Sequence, residues 1–87
     1  MKADKKDVLN RLASAEGHLQ AIRKMIEDDV YCVDVLKQTY AVQRALDKMQ
    51  AVILRGHLGS CVPEKMTGDH KDELIAELTE LYELARK

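Results

Sequence analysis

Apolar residues recur along this chain at helical spacing, in three successive segments. In the first, Val8, Leu12, Ala15, Leu19, Ile22 and Ile26 step by alternating fours and threes. That stripe predicts an amphipathic helix. Asp4 is placed to cap its start, and the acidic run Glu27-Asp28-Asp29 is a poor last turn for a helix dipole, so the helix is expected to end there. In the second, Val35, Thr39, Val42, Leu46, Met49 and Ile53 repeat the same steps. This helix should run from about Tyr31 to about Ser60, roughly 42 Å long. Gly56, Gly59 and Pro63 then read as its fraying and stop. The third segment opens at Thr67 or Asp69, either a fair cap, and carries Leu74, Ile75, Leu78, Leu81, Tyr82 and Ala85 on one face. No strand pattern, internal repeat or low-complexity tract interrupts this reading. The expected fold is all-α: one domain over residues 1–87, a three-helix protomer with a long second helix.

Composition changes the picture in one respect. The chain has 87 residues, 46% of them hydrophobic but only 3% aromatic, with no Trp and no Phe. A domain this small and this poor in large side chains is marginal alone. Two cysteines are too few for a disulfide scaffold, and no signal peptide or membrane span is visible, so a reducing cytoplasm is the expected location. Oligomerisation is then the remaining source of stability. A helix longer than a small domain's diameter cannot be covered by its own two neighbours, and an antiparallel second copy is the economical cover. A lone three-helix bundle is the alternative.

Three side chains on the second helix carry candidate metal chemistry. His57 and Cys61 are four apart and point the same way near its end. Cys32 shares their face by helical-wheel count. Along an unbroken helix Cys32 lies roughly 37 Å from His57, so the two cannot meet within one chain. In an antiparallel homodimer Cys32 of one chain would meet His57 and Cys61 of the other, with a two-fold axis near Leu46 and two identical sites. Two thiolates and one imidazole form a soft three-donor set that suits Cu(I), whereas Zn(II) normally takes a fourth ligand. Oxidation of Cys32 and Cys61 to an interchain bridge keeps a thiol-redox sensor open. His18 and His70 have no partner at chelating spacing and read as surface residues.

Net charge is −1, which by itself does not announce a nucleic-acid binder. The distribution says more. Lys37, Arg44, Lys48 and Arg55 fall within about 40° of one another on the second helix, opposite its apolar stripe. Lys2, Lys5, Lys6 and Arg11 add positive charge near the N-terminus, with Arg23 and Lys24 further along. Acids collect at Glu27 to Asp29 and at Glu73, Glu77, Glu80 and Glu83. Such a basic ridge holds phosphates through point charges and Arg forks. It is also what the solvated face of any amphipathic helix looks like. No helix-turn-helix, zinc-finger or ribbon pattern is present.

These residues resemble the CsoR/RcnR-type metal-responsive repressors over nearly the whole chain. The resemblance is carried by Asn10-Arg11-Leu12, by Glu16-Gly17-His18-Leu19-Gln20-Ala21-Ile22, by Tyr31-Cys32, by Gln43-Arg44-Ala45-Leu46, and by Gly56-His57-Leu58 with Cys61. It implies a dimer of antiparallel helices that doubles into a tetramer, without enzymatic activity. In the copper-sensing branch a Cys, a His and a Cys hold Cu(I), which match Cys32, His57 and Cys61. A Tyr beside the first Cys and a Glu in the last helix surround that site, and Tyr31 and Glu77 occupy those places. The resemblance also implies that Arg11 and Lys48 contact operator DNA. The nickel/cobalt branch has His in place of Cys61 and another His near the N-terminus, where this chain reads Met1-Lys2-Ala3. The formaldehyde-sensing branch usually lacks a Cys at Cys61, and the persulfide-sensing branch lacks the His that is His57. The expected function is therefore a Cu(I)-responsive repressor that binds its operator without metal and is released on binding it. A repressor of the same fold that senses thiol oxidation, persulfide, Zn, Ni or Co, and a cytoplasmic Cu(I) buffer, are the alternatives.

Overall fold

The first helix begins where its cap chemistry allows. A computed structural model describes the whole chain except Lys2, Thr67 and Lys87, and except the side chains of Cys61, Val62 and Lys65. Helix α1 spans Lys5–Glu27, and the Asp4 carboxylate accepts a hydrogen bond from the Asp7 N–H at 3.2 Å, satisfying one of the free donors of the first turn. At the other end Asp29 adopts φ 55°. The Val30 N–H reaches the Met25 carbonyl at 3.0 Å and the Asp29 N–H reaches Ile26 at 3.1 Å, the paired bonds of a Schellman stop. A left-handed backbone at a residue with a side chain is strained, and glycine removes that strain. Asp29→Gly is therefore expected to raise the unfolding free energy by about 1 kcal/mol, measurable by urea denaturation. An unchanged or lower midpoint would contradict this account of the turn.

Helix α2 spans Cys32–Gly56 and returns antiparallel along α1. Their contact buries Val8, Ala15 and Ile22 of α1 and Val42 of α2, with Arg11, His18 and Met25 half-buried beside them. Full burial of a Val or Ile side chain contributes roughly 1.5–3 kcal/mol. Only alternate members of the expected α1 stripe lie in this seam. Leu12, Leu19 and Ile26 are 37%, 52% and 59% exposed. The reason is geometric: one neighbouring helix covers a narrow arc, so the second apolar row faces outward. On α2 the expected stripe does face α1, with Val35, Thr39, Leu46, Met49 and Ile53 half-buried around Val42.

Regular α-helix ends at Gly56, one of the glycines that mark the expected stop, but the chain stays helical beyond it. A π-helical turn, His57–Cys61, leads directly into α3, Val62–Met66. Pro63 is the second residue of α3, in a first turn where its missing N–H leaves no intrahelical bond unmade. The wide turn before it is the accommodation, and the Ser60 hydroxyl donates to the Gly56 carbonyl at 2.6 Å within it. Gly56 has a separate role: a Cβ there would lie 2.5 Å from the Ala3 Cα, so the bare glycine lets the N-terminal segment cross α2.

Helix α4 spans Lys71–Ala85 and is capped by His70 rather than by Asp69, while Thr67 lies outside the described residues. His70 makes no side-chain bond to the helix backbone; its Nδ1 donates to Glu73 at 3.2 Å. Of its apolar face Leu74 is buried and Leu78 half-buried, while Ile75, Leu81 and Tyr82 are 46–63% exposed.

The protomer is a plate, 55 × 28 × 14 Å, barely more than one helix thick. Its radius of gyration is 17.3 Å, against about 12 Å for a globule of this length. Its accessible surface is 7088 Å², against about 5,200 Å² for a folded monomer of this mass. The difference, roughly 1,900 Å², is of the size that a stable interface removes.

Candidate metal centre and basic ridge

Cys32 is the first residue of α2, and its free thiol is exposed. Tyr31 forms the N-cap without a side-chain bond to the helix and is 68% exposed. His57 lies at the opposite end of α2, roughly 37 Å away along the helix. Cys61 closes the π-helical turn that begins at His57, and its side chain is not among those described.

The half-buried His57 ring has a neighbour from α4: its Nε2 is 3.9 Å from Glu77 Oε2. That separation is too long for a hydrogen bond but close enough for the carboxylate to orient the ring. Of the two residues expected around the site, Glu77 is therefore brought to His57. Tyr31 is not, because it sits with Cys32 at the far end of the same chain. Among the described residues no three His, Cys, Asp or Glu side chains gather in one chain as a metal site would need.

His57 opens onto a groove of about 1100 Å³ between the C-terminal half of α2 and α4. Its walls include Leu54, Leu81 and Leu84, and Met1 and Ala3 close one side. Sequence reasoning missed this N-terminal wall. The only signal for it was Gly56, read as a helix stop rather than as the place where Ala3 approaches.

The remaining histidines differ from each other. His18 is half-buried, and its Nε2 donates to Gln38 Oε1 at 2.7 Å, tying α1 to α2. It is a cross-helix tether at the edge of the α1–α2 seam, where the bond itself is still exposed. His70 is exposed, as expected.

Lys37, Arg44, Lys48 and Arg55 are all exposed, on the side of α2 turned away from α1. Among the described residues none of the four is held in an ion pair. Arg11 differs. It is half-buried, and its Nε donates to Asp7 Oδ1 at 3.0 Å, so part of its donor capacity is already used. Lys24 pairs with Asp28 at 3.4 Å. Lys2 lies outside the described residues. Among the described residues no helix is long and apolar enough to cross a membrane.

Residues 4–86 match the model of a family described as metal-sensitive transcriptional repressors. The chain is 42% identical over 78 residues to the copper-sensing transcriptional repressor CsoR of Mycobacterium tuberculosis (strain ATCC 25618 / H37Rv). That match covers 90% of this chain and 66% of the relative, so the chain spans just under two thirds of the mycobacterial protein. It is 34% identical over 79 residues to the CsoR of Bacillus subtilis (strain 168), covering 91% of this chain and 78% of the relative. Among solved structures, the copper-sensing repressor CsoR with Cu(I) from Geobacillus thermodenitrificans NG80-2 superposes with a TM-score of 0.86 at 29% identity, over 94% of this chain and 85% of that one. The nickel-responsive transcriptional regulator InrS superposes with a TM-score of 0.76 at 29% identity, over 95% and 93%.

Proposed function

This chain belongs to the metal-sensitive transcriptional repressors, and on that premise we propose that it is a cytoplasmic Cu(I)-responsive repressor. It binds operator DNA without metal, leaves it on binding Cu(I), and performs no catalysis. The observation that carries this reading is the division of the donor set. Cys32 stands at one end of α2, and His57, with Glu77 beside it, stands at the other. A complete set needs a second copy running antiparallel, and the surplus surface of the plate supports one. The outer row Leu12, Leu19 and Ile26 on α1 is a further uncovered face, which supports doubling of the dimer into a tetramer.

The residues fit the ion by donor chemistry. Two thiolates and an imidazole are soft and borderline donors in a number that Cu(I) accepts without a fourth. Cys32 of one chain and His57 and Cys61 of the other would hold the ion, which would supply a link between the two chains. The rest is the work of the chain itself. Glu77 faces Nε2 of His57, so Nδ1 would be the ring nitrogen left for an ion. Closing the 3.9 Å gap to a hydrogen bond would fix the ring and draw α4 toward the end of α2. Through that contact occupancy of the site is communicated to helix packing, and from there to the basic ridge on the back of α2. Tyr31, carried beside Cys32, would reach the same site only from the second chain.

Coupling of metal and DNA is reciprocal, so the metal must bind the free repressor better than the DNA-bound one. A coupling of about 3 kcal/mol weakens operator binding roughly 150-fold. Anaerobic titration of the protein on labelled operator DNA, read by fluorescence anisotropy with and without saturating Cu(I), measures this directly. Equal affinities in the two arms would remove the repressor reading.

A further inference from the structure

We infer that Gln43 and Asp47 form a polar pair across the two-fold axis of the dimer, fixing the helix register that brings Cys32 to the second chain's His57. The inference rests on the shared-site reading and goes beyond it, by naming what sets the alignment.

Cys32, Leu36, Gln43, Asp47, Gln50, Leu54 and His57 fall within about 80° of arc on α2, with Tyr40 at its edge. This face is distinct from the one packed on α1. Leu36, Tyr40 and Leu54 are 52%, 56% and 41% exposed, and Gln43, Asp47 and Gln50 are exposed as well. Neither Gln43 nor Asp47 makes a hydrogen bond or ion pair with another described residue. The face is therefore apolar toward its ends and polar at its centre; its N-terminal half is open, and its C-terminal half borders the groove beside α4, where Leu54 stays 41% exposed.

A second copy of this chain is the occupant to which the face is matched. If Cys32 lies across from His57 of an antiparallel partner, the two-fold axis crosses α2 between Arg44 and Ala45. Within one residue, that register sets Leu36 against Leu54, Tyr40 against Gln50, and Gln43 against Asp47. Leucine then meets leucine, the tyrosine meets an amide, and the Gln43 amide is placed to donate to the Asp47 carboxylate, twice by symmetry. The alternatives are poor. Slipping the partner by one heptad sets Asp47 against Leu36 in one direction, or Gln43 against Leu54 in the other. Either leaves a polar group desolvated against leucine without a partner, the device by which one buried polar position selects a helix register. A slip of one heptad would also carry Cys32 some 10 Å past His57 and break the donor set.

The test separates register from association. The Gln43→Leu/Asp47→Leu double variant should remain a folded oligomer of wild-type mass by light scattering. Its Cu(I) affinity by chelator competition should fall about 10- to 100-fold, and X-ray absorption should show two donors instead of three. Asp47→Asn, which still accepts a hydrogen bond, should stay close to wild type in both measurements. A double-leucine protein with wild-type affinity and three donors would overturn the proposal. Should that variant not fold, Leu36→Cys/Leu54→Cys in a Cys32→Ser/Cys61→Ser background reports the register directly. These thiols are too far apart within one chain to bond, so oxidation should give a covalent dimer; uncross-linked monomer would equally overturn the proposal. A wild-type protein that is monomeric in solution would instead sink the shared-site reading from which the register was derived.

Discussion

Mixing two inactive variants should restore high-affinity Cu(I) sites. One carries Cys32→Ser; the other carries His57→Ala and Cys61→Ser. Each alone should lose three-donor binding, because every site in either homodimer lacks at least one ligand. In a hybrid dimer, however, one end pairs Cys32 of the second variant with the intact His57 and Cys61 of the first. The other end brings all three substituted positions together and holds no ligand. Random exchange makes half the dimers hybrids, each with one working end of two, so about one quarter of all sites should return. Chelator competition counts them, and X-ray absorption on the mixture should detect three-donor copper that neither parent shows. The result follows from length alone: roughly 37 Å of helix separates Cys32 from His57, and no loop between them folds the two together. Recovery of no sites after verified subunit exchange would mean that the donors are not shared between chains, and the dimer reading would go with it.

The elements and the separation of Cys32 from His57 are legible in the sequence because each depends on local spacing. Asp4 caps α1 and the acidic run ends it, since capping and dipole effects act within one turn. Cys32 and His57 can be assigned to opposite ends because helical rise is fixed. What is not legible depends on neighbours distant in sequence. Spacing shows that Leu12 and Ile22 share a stripe, but not that one packed helix covers only the row of Ile22. Gly56 does end α2, but spacing does not show that Ala3 crosses there, nor that Pro63 enters a new first turn. His18 reads as a solvated residue because its partner, Gln38, lies twenty positions away. Tyr31 is expected around the site of His57, and within one chain it stands at the far end of α2. That discrepancy has the same origin as the separation of the ligands, and a second chain would resolve both.

Removing the basic ridge should abolish operator binding while leaving the copper site intact. Lys37, Arg44, Lys48 and Arg55 are exposed and without ion pairs among the described residues, so their charge is available to phosphates. They point roughly 120–180° away from the face of Cys32 and His57, so changing them does not touch the ligands. Conversion of all four to Gln keeps a polar side chain of good helix propensity at each position and deletes the charge. A dimer then loses eight positive groups, four from each chain. If about half of these contact phosphate, the slope of log affinity against log salt should flatten by roughly 4. Affinity near physiological salt should fall by about 10³-fold or more. Arg11→Ala should have a smaller effect, because its Nε is already engaged by Asp7 at 3.0 Å. Cu(I) stoichiometry and affinity should match wild type in both variants. This pattern separates a repressor from a Cu(I) buffer, for which the ridge is only a solvated face. An unchanged salt slope in the four-fold variant would assign DNA contact to some other surface. Loss of Cu(I) binding alongside DNA binding would show that the two faces of α2 are not independent, and that the ridge supports the dimer rather than the operator.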